Sequence, residues 1–418
     1  MSLAHETSLS ALAIDPKAFR RLPELIDAPH AFRAALRLMA RNWLAGSLEF
    51  VTPAGGVLRL VGEKPGPSAR LIIIDYRFMR RVLGSADIGF AEGYMAGEWE
   101  TPDLSALLHV LTLNIDRLQR MLGRNPAARL INKVRHALRA NTRAGSRRNI
   151  HAHYDLGNAF YSRWLDPTMT YSSARYARPG QALAEAQTNK YRTLAEGMEL
   201  TAGQHVLEIG CGWGGFAEFA AKEVGARVTG VTISQEQFDF ARRRMFEQGL
   251  ADKAEIRLID YRDVEGRYDR VASIEMFEAV GEKYWPAYFD KIREVLTPSG
   301  RAGLQIITIR DEIFEDYRRR PDFIQKHVFP GGMLPSEARL KTETDRAGLA
   351  WAGISRFPQH YADTLAEWAQ RFEGAWDEIR SLGFDERFRR LWRFYLSYCE
   401  AGFRSERTGV VQLTLAKA

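Results

Sequence analysis

Cysteine is nearly absent: Cys211 and Cys399 are the only two in 418 residues. They offer no metal-ligand spacing and no disulfide framework, which suits a reducing compartment. No apolar run approaches the roughly 18 to 20 residues needed to cross a bilayer. The opening MSLAHETSLSALAIDPKAF also lacks the basic-then-apolar layout of a signal peptide, so a cytoplasmic protein is expected. Acidic residues are missing from one long stretch. Between Arg117 and His153 there are ten Lys or Arg residues and no Asp or Glu, in a chain of net charge +7. Such a stretch is either a solvated basic helix and linker or a seat for an anionic partner, nucleic acid or a membrane surface. What is present, 45% apolar and 27% charged residues, describes a folded chain long enough for two or three domains.

Residues 1 to about 115 join a basic amphipathic stretch, AFRAALRLMARNWL, to the strand-like runs GSLEFVTPAGGVLRLVG and ARLIIIDYRF. This pattern predicts a small α+β domain, followed over 116–149 by a basic helical linker. From 150 to 418 strands alternate with helices, as in a parallel sheet covered on both faces. Strands are expected at 204–209, 227–232, 255–259, 269–274 and 302–309. The runs LAWAGISRF and GVVQLTLAK bracket a long helical region, 363–405, and would complete a seven-stranded sheet.

In VLEIGCGWGG (206–215) an apolar strand reaches Glu208 and breaks into Gly210, Gly212, Gly214 and Gly215. Such a turn brings backbone close to a nucleotide-like cofactor, and the spacing also meets the dinucleotide fingerprint. A nicotinamide or flavin site places an acid about 20 residues further on, at the tip of the second strand. Here that tip reads Thr232, Ile233, Ser234, with no carboxylate. The oxidoreductase reading loses its main support.

Six segments in order are HYDLGNAFYSRWLDPTMTYSS (153–173), VLEIGCGWGG, GVTISQEQ (230–237), DYRDV (260–264), MFEAVG (276–281) and FPGGMLPS (329–336). They resemble the successive motifs of cyclopropane-fatty-acid synthases and the related mycolic-acid methyltransferases. The resemblance implies an S-adenosylmethionine-dependent enzyme with the Rossmann-like, seven-stranded α/β fold of class I methyltransferases over 150–418, including a helical lid and an acyl channel. It implies a lipid-binding domain in 1–115. By the same resemblance Glu208, Gly210, Gly212 and Gly214 lie against the methionine side of the cofactor. Thr232, Ile233 and Gln237 meet its ribose and adenosine, Tyr171 and Ser172 close over it, and Asp260, Tyr261 and Arg262 line the adenine pocket.

The implied reaction methylates a cis double bond in an acyl chain and creates a carbocation, which π-faces stabilise by about 2 kcal/mol or more each when desolvated. Tyr154, Phe160, Tyr161, Trp164, Phe277 and Tyr361 are the candidate rings. Ring closure then needs a base. In the family that base is a bicarbonate ion held by a Cys, a Glu, a His, a Tyr and a backbone amide. Glu278, Tyr361 and Ile307 match the Glu, the Tyr and the amide, whereas Ser173 stands for the Cys and Gln305 for the His. Both can donate hydrogen bonds to an anion, without the charge of an imidazolium.

The expected activity is that of a cyclopropane-fatty-acyl-phospholipid synthase. The alternative is a fatty-acyl C-methyltransferase that leaves a methylated unsaturated or branched chain. A vestigial lipid-binding protein and a nucleic-acid methyltransferase are weaker readings. SIEMFEAVG stands where enzymes that methylate base amines carry Asn/Asp-Pro-Pro-Tyr/Phe, so no nucleic-acid partner is expected. At about 0.8 kcal/mol per CH₂ an acyl chain cannot cross water unaided. Peripheral docking on the inner face of the membrane is therefore expected, through the basic stretch 117–148 and the amphipathic helix around Arg33, Leu36, Arg37, Met39 and Trp43. The segment 311–335 reads as a lid. A homodimer is left open.

Overall fold

The computed structural model describes residues 12–13, 25, 27–122 and 156–417. They fall into two compact units, one drawn from Met1–Ile131 with Asp385–Ser405, the other from Asn132–Phe384 with Glu406–Ala418. The basic residues 123–148 and Tyr154 lie outside the described residues.

In the first unit β1 (Leu12–Ala13), β2 (Ala45–Val51), β3 (Val57–Val61), β4 (Lys64–Ile73) and β5 (Trp99–Glu100) form a sheet in the order β1-β3-β2-β4-β5. Period-two alternation sets its register: Leu48 opposes Leu60 and Phe50 opposes Leu58. All four are buried, together with Leu71 and Ile73 of β4. The helix His30–Asn42 packs Phe32 and Leu36 into this core, and Trp43 follows them. This corrects the expectation that the helix offers its apolar face to a membrane, because Leu36 is 1% and Trp43 5% exposed. Asn114 fastens the helix Leu104–Leu122 to β2, accepting from Leu44 N at 2.6 Å and donating to the Ala45 carbonyl at 3.0 Å. The helix Glu386–Arg404, expected within the C-terminal helical region, also belongs to this unit. Its Arg390 donates to the Tyr94 carbonyl at 2.6 Å and its Glu400 accepts from Ser105 at 2.6 Å.

The second unit holds β6 (His205–Ile209), β7 (Arg227–Thr232), β8 (Ala254–Leu258), β9 (Tyr268–Ile274), β10 (Leu296–Ile309), β11 (Leu349–Arg356) and β12 (Thr408–Lys417). Their order is β11-β12-β10-β9-β6-β7-β8. The five strands β10, β9, β6, β7 and β8 run parallel, and β12 lies antiparallel between β10 and β11. This is the expected seven-stranded class I methyltransferase sheet, completed by the strand pair that brackets the helical region.

Alternation along β6 serves two cores. Val206 packs with Val228, Phe216 and Ala272 on one face, and Leu207 and Ile209 pack with Val271, Leu304, Trp285 and Phe289 on the other. Glu208 is the one charged residue of β6, and it is 3% exposed. Strand order reverses at β6, with β7 and β8 added on one side and β9 and β10 on the other. Open α/β sheets bind ligands at such a point, beyond the carboxyl ends of the strands.

Candidate active site

The turn after β6 needs left-handed backbone at Gly210 (φ 79°), Gly212 (φ 52°) and Gly214 (φ 81°), which glycine adopts without strain. The amides of Gly210 and Cys211 both donate to the Val231 carbonyl, at 2.9 and 3.0 Å, and tie the turn to β7. A Cβ on Gly210 would come within 2.7 Å of Met276, and one on Gly215 within 2.4 Å of the Tyr191 hydroxyl. At the tip of β7, Thr232 donates to the Gln237 side chain at 2.9 Å, both being buried. Ser234 caps the helix Gln235–Glu247, and Ile233 is half-buried between these groups. Asp260, Tyr261 and Arg262 follow β8. The Asp260 carboxylate is engaged by the backbone and guanidinium of Arg262, and the Tyr261 ring lies 5.6 Å from that of Tyr288. The three sets stand beyond adjacent strand ends, as the resemblance implies.

Beyond β9 the arrangement differs from expectation. Three groups assigned to hold bicarbonate converge on a carboxylate that the motif reading passed over. Glu275 accepts from Tyr361 Oη at 2.6 Å, from Gln305 Nε2 at 2.8 Å and from Ser173 N at 2.8 Å. Gln305 is oriented by its own carbonyl, which accepts from Gln412 Nε2 at 3.1 Å, so its amide nitrogen must face Glu275. The Ser173 hydroxyl donates instead to the Ala174 carbonyl. The remaining amide, Ile307 N, donates to Glu278 Oε1 at 2.5 Å. Glu275 itself has φ 50°. A non-glycine residue there carries strain of about 1–3 kcal/mol, which persists only where the surroundings over-determine it, and such positions cluster at functional sites.

Behind this corner lies Lys190, fully buried, whose ammonium donates to Ser172 Oγ at 2.7 Å and sits 4.5 Å from the centre of the Tyr191 ring. Burial pulls it down to about 7 against the opposing charges of Glu275, Asp166 and Glu208. Burial pushes Glu208 up to about 8, with Lys190 and Arg244 working the other way. Glu278 rises to about 8 through burial and the neighbouring Glu275 charge. Glu275 is raised by burial, and the hydrogen bonds from Tyr361 and Gln305 and the charge of Lys190 oppose the rise. Lys190 was not legible as a site residue, since one lysine on a helix is usually solvated.

Rings connect the glycine turn to the carboxylates. Trp213, inside the turn, lies 5.0 Å from Tyr161. Tyr161 lies 5.3 Å from Tyr171, Tyr171 5.3 Å from Trp368, and Trp368 6.3 Å from Tyr361. Trp164 and Phe160 complete the wall, both fully buried. Phe277 is a correction. Its ring packs about 5 Å from Trp285, Tyr288 and Phe289 in the core beneath the sheet, because residues 275 and 278 take the crevice side of that turn. The segment 311–335 contains the helices Asp311–Tyr317 and Phe323–His327, and its Met333 N donates to the Glu278 carbonyl at 2.9 Å.

S-adenosylmethionine fits: open space lies beside Gly212, and Glu208 Oε2 is a buried carboxylate oxygen without a partner, suited to a cationic ligand. Bicarbonate does not fit in the expected way. Ser173 N, Gln305 and Tyr361 are turned onto Glu275, and Ile307 N onto Glu278.

Residues 141–413 match the family profile described as mycolic acid cyclopropane synthetase. Tuberculostearic acid methyltransferase UfaA1 of Mycobacterium tuberculosis is 41% identical over 348 residues, 81% of either chain. The cyclopropane-fatty-acyl-phospholipid synthase of Escherichia coli K12 is 34% identical over 388 residues, 90% of this chain and 94% of its own. The crystal structure of mycolic acid cyclopropane synthase CmaA1 complexed with SAH and CTAB superposes with a TM-score of 0.62 at 29% identity. It covers 65% of this chain and 98% of that one.

Proposed function

Because the chain belongs to the mycolic acid cyclopropane synthetase family, and is an S-adenosylmethionine-dependent methyltransferase of the cyclopropane-fatty-acyl synthase type, we propose that it methylates a double bond in an unsaturated acyl chain of a membrane phospholipid. The observation that carries this reading is the unbroken run of rings from Trp213 in the glycine turn to Tyr361 at the carboxylates.

When bound, S-adenosylmethionine supplies an electrophilic methyl on a sulfonium. The π electrons of the alkene form the new C–C bond, the S–CH₃ pair stays on sulfur, and positive charge is left on the neighbouring chain carbon. No base is needed up to this point. Tyr171, Trp368 and Tyr361 offer π-faces to that charge in a water-poor setting, and Glu275 offers negative charge. The rings touch one another, so the acyl chain enters by parting them, and the segment 311–335, tied to the Glu278 carbonyl through Met333 N, is the proposed lid. The reaction ends with loss of a proton. Ring closure to a cyclopropane is one product, and a methylated or branched chain is the other. The second is favoured by the 41% identity to a tuberculostearic acid methyltransferase.

Docking on an anionic bilayer is assigned to the basic stretch 117–148, where each Lys or Arg near the surface contributes about 1 kcal/mol. Incubation with labelled cofactor and vesicles of unsaturated phospholipid is expected to place label in acyl chains; label in RNA or DNA alone rejects the proposal. Hydrogenation tells the products apart, since the alkene takes up H₂ under mild conditions and the ring does not. Vesicle binding is expected to weaken with salt and with removal of the charges of Arg129, Lys133 and Arg135, and salt-independent binding counts against the docking surface.

A further inference from the structure

In this chain a protein carboxylate sits on the donors that the resemblance assigned to an exogenous anion. Tyr361, Gln305 and the Ser173 amide all donate to Glu275. The arrangement is locked from three directions. Gln412 fixes the Gln305 amide, the Glu275 amide donates to the Gln305 carbonyl at 2.8 Å, and Lys190 supplies an opposing charge from the helix Leu183–Gly197. The left-handed backbone at Glu275 turns this side chain, at a position glycine would occupy without strain, onto those donors. Tyr361, which touches both the carboxylate and the ring wall, puts Glu275 beside the place where the chain cation forms.

We propose that Glu275 is the catalytic base of this enzyme, a built-in carboxylate that takes the place of bicarbonate and accepts the proton released after methyl transfer. The inference rests on the proposed reaction. In ring closure a C–H bond of the added methyl breaks, its electron pair bonds to the cationic chain carbon, and the proton goes to a Glu275 oxygen. In the branched outcome the C–H bond that breaks is on a carbon next to the cation, and the pair becomes the new double bond. In both cases the sum is alkene plus S-adenosylmethionine giving product, S-adenosylhomocysteine and one proton, with no further reactant.

The test uses the full chain, S-adenosylmethionine and vesicles of unsaturated phospholipid containing an anionic lipid, in buffer stripped of CO₂ and then with bicarbonate restored. The parent chain is expected to turn over at the same rate, within about twofold, in both buffers. Glu275→Gln is expected to lose at least a hundredfold in turnover while binding S-adenosylhomocysteine within about threefold of the parent. Glu275→Gly suits the left-handed backbone and frees the three donors. It is expected to regain turnover with added bicarbonate or formate and to bind ¹³C-bicarbonate, which the parent does not. Strong dependence of the parent on bicarbonate, binding of ¹³C-bicarbonate by the parent, or near-normal turnover by Glu275→Gln each overturns the role of Glu275. Failure of the parent to methylate any lipid strikes the reaction itself, and this inference with it, so the two failures are told apart.

Discussion

Two neighbouring strand tips treat the same backbone problem in opposite ways. After β6 the left-handed positions are Gly210, Gly212 and Gly214; after β9 the left-handed position is Glu275. Where a ligand must lie against the main chain, a Cβ is excluded. Where an anion must be presented, a side chain is kept and the strain is borne, because three hydrogen bonds to an ionised acceptor, each about 1.5–3 kcal/mol, outweigh it. The sheet edge thus divides its labour: one tip keeps glycine for the proposed cofactor and the other keeps a side chain that supplies charge.

The comparison breaks most clearly if alanine is tolerated in the glycine turn. Gly212→Ala places a Cβ in the open space beside the turn, where no protein atom lies within 4 Å, and obstructing a bound cofactor there costs about 2 kcal/mol, or roughly 30-fold. S-adenosylhomocysteine affinity by calorimetry is expected to fall at least that far. Glu278→Gln keeps the acceptor for Ile307 N but removes the titratable carboxyl group. Turnover is expected to fall about tenfold and cofactor affinity less than threefold; equal losses would make Glu278 structural. Gln412→Leu releases the Gln305 amide from its fixed orientation, and a loss of about three- to fivefold in turnover with unchanged cofactor affinity is expected.

The smallest effect is on stability. The folded state holds the Glu278 proton up to about pH 8, whereas the unfolded chain releases it near its ordinary value. The folded state therefore binds more protons across that window, and this group's contribution to stability falls as pH rises from about 4.5 to 8. Removing the group by Glu278→Gln should raise Tm relative to the parent more at pH 9 than at pH 5, by a few degrees in calorimetry. A gap independent of pH would show that Glu278 is not held protonated.

The glycine turn was legible because its requirement is local: four glycines behind an apolar strand state a backbone conformation. The seven strands were legible for a similar reason, as buried apolar runs of strand length separated by helical periods. Glu278, Tyr361, Gln305 and Ser173 were found through ordered motifs, and the structure brings all four to one corner, Ser173 through its amide. Glu275 escaped notice because EMFE offers two acids three residues apart, and only the sign of φ at the first decides how each is used. Phe277, between them, looked like a channel ring for the same reason and proved to be core. Lys190 looked like a solvated helix position, and the helix Glu386–Arg404 carried a clear period but no mark of the unit it packs with.

By itself the sequence determined the sheet, the glycine turn and the family, since strand periodicity and glycine conformation act over a few residues. Only the tertiary structure decided which carboxylate takes the anion donors, because Tyr361, Gln305 and Ser173 lie 86, 30 and 102 residues from Glu275. Hydrogen-bond partners that far apart are chosen by packing in three dimensions, where a buried donor must find an acceptor and the nearest one is set by the fold.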